Sequence, residues 1–201
     1  MIQQQMRQEI IANLKCFENM QINSDESIID VFLENRKGTV RFYDFYINDI
    51  SEMQIEDCIT KEVIFYLHFE MLELENALSF LRCFLNVMIQ GLSVCTQYEP
   101  KEEQAFKNIL LVCTGGLSTY LFAKLMEEHF QKMGLYIHVD AARLASMDEK
   151  AKEADLILLA PQVSYCYKKI SKKYPNKVQL INTEDFATLN VDGVIGSQIF
   201  H

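Results

Sequence analysis

Cys113 heads a loop of small and hydroxylated residues, Thr114-Gly115-Gly116-Leu117-Ser118-Thr119, set between an apolar run and an amphipathic stretch. Gly115 and Gly116 allow positive φ and close backbone approach, while Ser118 and Thr119 can add hydroxyl donors and cap a following helix. A loop that feeds a helix N-terminus aims several unpaired N–H groups at one spot, beside the positive end of the helix dipole, where an anion is stabilised. The same field favours the thiolate of Cys113 and makes it a nucleophile. These residue types at this spacing suggest phosphoryl chemistry on sulfur. On spacing alone a second reading stays open, with Cys113 as a small buried apolar residue and Gly-Gly as an ordinary strand-to-helix turn.

Related chemistries are disfavoured one by one. A tyrosine phosphatase needs an arginine six positions after its cysteine to drive hydrolysis, and position 119 is threonine. A stored phosphocysteine fits better than a hydrolysed one. A dithiol redox site wants a second cysteine at position 116, which is glycine. Neither a dinucleotide glycine pattern nor a Walker lysine is present. No cofactor and no metal is expected.

The loop must be held by the elements around it. Ile109 to Val112 are four consecutive branched apolar residues, which reads as a strand buried on both faces inside a parallel sheet. Leu121, Phe122, Leu125, Met126, Phe130 and Met133 recur at helical spacing, and Gly134 suits the stop. Onward, the pattern predicts strand 108–112, helix 118–132, strand 135–141, helix 146–153, strand 155–160, helix 163–173, strand 178–182 and a closing helical turn. Ser146 with Glu149 reads as a capping box, and Asp155 marks entry to the third strand. Lys168, Lys169, Lys172 and Lys173 form a basic cluster whose default reading is a solvated face. Cys166 reads as structural.

The stretches ILLVCTGGLSTYLFAKLM, Ala154 to Tyr165 (ADLILLAPQVSY), YPNKVQLIN and Val191-Asp192-Gly193 resemble the enzyme IIB components of the phosphoenolpyruvate-dependent sugar phosphotransferase system, lactose/cellobiose type. Their order and spacing match over about ninety residues. The resemblance implies a four-stranded parallel sheet with helices on both faces. It also implies a cysteine that takes a phosphoryl group from phosphohistidine on a IIA protein and passes it to sugar, with a membrane IIC component as a further partner. By resemblance Cys113 is the phosphorylated residue, Thr114, Gly115, Gly116, Leu117, Ser118 and Thr119 supply its loop, and Pro161 and Gln162 flank it. Tyr120 stands where the family usually has a small or hydroxyl residue, and the helix after Asp192-Gly193 would be short.

The first half reads differently. Of 201 residues with a net charge of −9, residues 1–100 hold 7 Lys+Arg against 16 Asp+Glu, and residues 101–201 hold 12 of each. An acidic half repels phosphate backbones, so DNA binding by it is disfavoured. Met6, Ile10, Ile11, Leu14 and Phe17 share one side of a helix, a core or dimer face. Asn23-Ser24-Asp25-Glu26 offers a helix start before Ile28, Ile29, Phe32 and Leu33, with Arg36-Lys37-Gly38 as its C-terminal stop. Val40, Phe42, Phe45 and Tyr46 suit a strand or a helix and lean to helix. The stretch from Ile55 to Ile89 lacks Pro and Gly and reads as one or two helices breaking near Leu72 to Asn76, apolar nearly all round and so buried by neighbours or a partner chain. His68 reads as a core or interface histidine.

The expected architecture is therefore an all-α domain over 1–100, self-associating as a homo-oligomer, and an α/β domain over 101–201. The linker is Gly91 to Lys107, with Pro100 and Lys101-Glu102-Glu103. IIDVFLENRKGTV and ISEMQIEDCITKEVIFYLHF resemble a degenerate RpiR-type helix-turn-helix domain of sugar-responsive repressors, which implies a regulatory context. Its recognition helix would fall at Thr60 to Phe69, where Lys61 is the one Lys or Arg. A hydrophobic content of 49% suits a globular protein, and no run reaches the roughly 18 apolar residues needed to span a bilayer. Six unpaired cysteines and a start without signal-peptide character point to the cytoplasm.

Overall fold

The computed structural model of the protein describes residues 2–23, 26–44, 49–91, 106–115 and 117–196. The chain forms two compact units, Met1–Val94 and Cys95–His201. Most of the expected linker, with Cys95 and Pro100, lies outside the described residues, as do Ser24, Asp25, Phe45 and Tyr46.

The first unit is not all-α. Helix α1 (Ile2–Leu14) is followed by strands β1 (Asn19–Ile22), β2 (Ile28–Leu33), β3 (Arg36–Tyr43), β4 (Ile50–Asp57) and β5 (Val63–Glu70), then helix α2 (Leu74–Gln90). The strands pair antiparallel in chain order as a meander. Burial alternates with period two: Ile29 and Val31, Val40 and Phe42, Met53 and Ile55, then Phe65, Leu67 and Phe69 face inward. Met6, Ile10 and Leu14 of α1 and Phe80, Leu81, Phe84 and Met88 of α2 are buried as well, with α1 packed on α2 and α2 on β4 and β5. Phe65 and Phe84 meet edge to face at 5.8 Å, Phe69 and Phe80 at 4.7 Å. The apolar stripes that suggested self-association are thus consumed within the unit.

The helix-turn-helix expectation falls with the same observation. Its first helix is the β2–β3 hairpin, and its recognition segment is the β4–β5 turn running into β5. The outward face of the sheet carries cross-strand polar pairs, Lys37 with Asp30 at 3.0 Å and Arg41 with Glu52, while the Tyr66 hydroxyl donates to Glu52 at 3.0 Å. Burial, then the Glu52 charge, pushes the Tyr66 phenol up to about 12. Half-buried His68 lies on this outward face too, opposite Glu52 in the register.

The expected stop Arg36-Lys37-Gly38 lies within β3 and serves α2 instead. The Arg36 guanidinium donates to the Met88 carbonyl at the C-terminal end of α2, where a cation is favoured. At Gly38 a Cβ would lie 2.6 Å from Phe84 Cζ and 2.9 Å from Val31 Cγ2. The glycine is there because α2 crosses the sheet at that point.

The second unit holds β6 (Asn108–Cys113), α3 (Leu117–Lys132), β7 (His138–Arg143), α4 (Asp148–Glu153), β8 (Leu156–Leu159), α5 (Tyr167–Lys173), β9 (Val178–Leu180), α6 (Thr183–Ala187) and α7 (Val191–Val194). The four strands are parallel in the order β7-β6-β8-β9. Leu110, Val112, Ile157 and Leu159 pack with Met147 and Ala151 of the α4 segment and Ile170 of α5. On α3, Phe122 meets Phe186 of α6 edge to face at 5.6 Å. Two details differ from expectation: α4 begins after Met147 with no side-chain cap, so Ser146 and Glu149 form no capping box, and β7 runs two residues further than expected, to Arg143.

Asp155 closes the rim opposite Cys113. Its Oδ2 accepts the N–H groups of Lys107 and Asn108, both at 2.9 Å, and these hold its carboxyl below the ordinary 3.8. A carboxyl lowered by folding stabilises the protein above its unfolded value and loses that contribution as pH falls through its folded value. In thermal melts Asp155→Ala is therefore expected to lie below wild type by a constant margin above about pH 5, narrowing below pH 3.8. A margin that does not narrow in acid would show that Asp155 acts through something other than its charge.

Candidate functional site

β6 is flanked by strands on both sides, and every residue from Ile109 to Cys113 is buried. Such a strand cannot shift, so the residue at its carboxyl end is placed as rigidly as the sheet. That residue is Cys113, 4% exposed, and the last pair of the β6–β7 ladder sets it opposite Arg143. The chain then leaves the sheet through Thr114 and Gly115 and enters α3 at Leu117.

Gly115 carries φ +115, a region open to glycine and strained for other residues. That turn points its N–H back to the thiol, donating to Cys113 Sγ at 3.1 Å. A Cβ at Gly115 would also lie 2.8 Å from Cγ, Cδ and Nε of Arg143, so the arginine stem lies directly over the loop. The first turn of the 16-residue α3 adds N–H groups with no partner inside the helix, at its positive end. Thr119 is buried at 2% exposure, whereas Tyr120 is 64% exposed.

Together Cys113, Gly115, Thr119, Tyr120, Ala141, Ala142 and Arg143 line a cleft of about 310 Å³. Among the described residues its lining carries one thiol, two hydroxyls and one cation, with no carboxylate and no imidazole. Such a cleft suits a small anion beside a nucleophilic sulfur. Among the described residues no group of three His, Cys, Asp or Glu side chains forms a metal site.

Of the expected site residues, Cys113, Gly115 and Thr119 come together in this cleft. Thr114 is part of the loop but not of the lining, Leu117 and Ser118 are described by backbone alone in the first turn of α3, and Gly116 lies outside the described residues. Pro161 and Gln162 open the 3-10 turn Pro161–Cys166 after β8. That turn packs on the β8 side of β6, whereas the cleft opens toward β7. Arg143 and the pair Ala141-Ala142 were not anticipated. Their signal was two small residues and a cation at the end of the strand next after the loop.

The far end of α3 is tied down separately. His129 Nε2 lies 3.1 Å from Asp192 Oδ1. In the same turn the Gly193 N–H donates to Asn190 Oδ1 at 3.1 Å, and Asn190 Nδ2 donates to Asp185 Oδ1 at 2.7 Å. A Cβ at Gly193 would fall 2.2 Å from that carboxylate oxygen. Burial pushes the Asp185 carboxyl up from its ordinary value. The Val191-Asp192-Gly193 motif thus closes the helix layer behind the loop.

Residues 108–197 match the family model described as PTS system, Lactose/Cellobiose specific IIB subunit. The PTS system oligo-beta-mannoside-specific EIIB component of Bacillus subtilis (strain 168) is 32% identical over 79 residues, which are 38% of this chain and 77% of that protein. The solution structure of a cellobiose-specific phosphotransferase IIB component protein from Borrelia burgdorferi is 29% identical, aligning over 45% of this chain and 85% of its own with a TM-score of 0.38. The matched segment begins at the first residue of β6 and carries the cysteine loop, the 3-10 turn and the Val191-Asp192-Gly193 closure, and by it the chain belongs to the lactose/cellobiose IIB family of the phosphotransferase system.

Proposed function

We propose that the second unit is a cytoplasmic phosphocarrier in which Cys113 accepts a phosphoryl group from phosphohistidine of a IIA protein. The group then passes to a sugar hydroxyl during uptake through a membrane IIC component. The observation that carries this reading is the Gly115 N–H held on Cys113 Sγ at 3.1 Å, at the head of α3 and inside a cleft without carboxylates. In the first step Sγ attacks phosphorus opposite the P–N bond, the S–P bond forms as P–N breaks, and the electron pair returns to the imidazole nitrogen. In the second, a sugar oxygen attacks phosphorus, the S–P electron pair returns to Sγ as thiolate, and the hydroxyl proton goes to a base on the partner or to water. Backbone donors preset around the phosphoryl oxygens stabilise the charge in both steps. Among the described residues no helix is long and apolar enough to cross a membrane, so a IIC component would supply the passage.

The test is mass analysis after incubation with phosphoenolpyruvate, the general phosphotransferase proteins and a cellobiose-type IIA. A gain of about 80 Da is expected on the tryptic peptide spanning residues 108–124, whose one cysteine is Cys113. A gain on any other peptide, or none with several competent donors, would overturn the reading.

A further inference from the structure

We propose that Arg143 is the phosphate clamp of this site, its guanidinium meeting the non-bridging oxygens of the phosphoryl group carried on Cys113. The proposal rests on the carrier reading and adds a residue that lies thirty positions from the cysteine and outside the loop.

Three observations support it. The β6–β7 register pairs Cys113 with Arg143, so two parallel strands deliver thiol and cation to the same rim of the sheet. The arginine stem lies over Gly115, the residue whose N–H reaches Sγ, instead of running out into solvent away from the loop. Finally, among the described residues Arg143 is the one charged residue lining the cleft, and no carboxylate pairs with it. Arg143 is itself an exposed residue.

A phosphocysteine carries close to two negative charges, and the neutral N–H donors of the loop and of the first turn of α3 supply no full positive charge to match them. A guanidinium presents parallel N–H donors to two oxygens of one phosphoryl group, which a lysine ammonium cannot. With threonine at position 119, the strand register supplies the cation that the loop lacks. Because the clamp grips non-bridging oxygens that are common to both steps, it favours arrival of the group from imidazole nitrogen and its departure to a sugar oxygen alike. Ala141 and Ala142 matter here through their size, since larger side chains at the end of β7 would fill the space the oxygens need.

The experiment uses the full chain as wild type, Arg143→Gln and Arg143→Lys. Cys113 is alkylated with iodoacetate, an anion, and with neutral iodoacetamide, and both rates are read on the peptide 108–124. The iodoacetate-to-iodoacetamide ratio, in which any change of thiolate content cancels, is expected to fall about tenfold in Arg143→Gln and less in Arg143→Lys, with an unchanged melting temperature as evidence of an intact fold. Phosphoryl uptake from the phosphohistidine donor is expected to slow about a hundredfold in Arg143→Gln, with partial recovery in Arg143→Lys. An unchanged alkylation ratio, or wild-type uptake by Arg143→Gln, overturns the proposal. If wild type itself takes up no phosphoryl group, the carrier reading fails, and the alkylation ratio then decides by itself whether Arg143 governs anion access to Cys113.

Discussion

Cys113→Ser is expected to lose phosphoryl uptake by at least about a thousandfold while keeping its fold. The two side chains are nearly the same size, and the serine oxygen can accept the Gly115 N–H that now meets sulfur. What changes is the nucleophile. A cysteine thiol at neutral pH already holds a few per cent thiolate, whereas a hydroxyl must lose its proton during the attack and needs a base beside it. Among the described residues the cleft offers none, since they bring no carboxylate and no imidazole to its lining. Single-turnover labelling by a phosphorylated IIA, read by mass, measures the loss directly. A serine variant that accepts the group at the wild-type rate would place the chemistry on another residue.

Phe84→Ala is expected to cost the first unit about 3–5 kcal/mol, out of a total of about 5–15 kcal/mol typical of a domain. Phe84 is fully buried, stacks edge to face on Phe65 and touches the sheet where Gly38 leaves room for it. The pairing makes a sharper prediction. Gly38→Ala by itself is expected to cost about 1–3 kcal/mol, because its Cβ would enter the Phe84 ring. In the Phe84→Ala background the same change is expected to cost less, since the ring contact is gone while the 2.9 Å approach to Val31 Cγ2 remains. Denaturant melts of wild type, both single variants and the double variant give the coupling. Equal cost of Gly38→Ala in both backgrounds would mean that α2 does not bear on the sheet at that point.

The second unit was far easier to read than the first, and particular residues show why. Ile109 to Val112 form an unbroken apolar run ending at a cysteine and two glycines, so strand, loop and helix announce themselves in order. In the first unit the outward face of the sheet carries Ile28, Phe32, Ile64 and Tyr66, which blurs the alternation and makes the strands look apolar all round. The hairpins also lack the usual punctuation. The β2–β3 turn places Glu34 at φ 53, and the β4–β5 turn places Lys61 at φ 64, positions where glycine is the customary signal. At the second turn Asp57 does the work by accepting the Ile59 and Thr60 N–H groups at 2.7 and 2.9 Å. Gly38 sits mid-strand for packing, although after Arg36-Lys37 it has the look of a helix stop. At the candidate site the loop was legible because its residues are contiguous. Arg143 was not, because only the parallel register brings it to Cys113, and no local pattern encodes that pairing.

Strand order also fixes when each part of the chain is able to form. In the first unit every strand pairs with its neighbour in sequence, so each hairpin can close as soon as it leaves the ribosome, and the whole meander is available before Asn108 emerges. The second unit has no such freedom. β6 is central and pairs with β7 and β8, each reached only after an intervening helical segment, and β9 must wait for β8. The thiol at the end of β6 is therefore made early and housed late: for some forty residues of synthesis Cys113 belongs to a strand whose second neighbour does not yet exist.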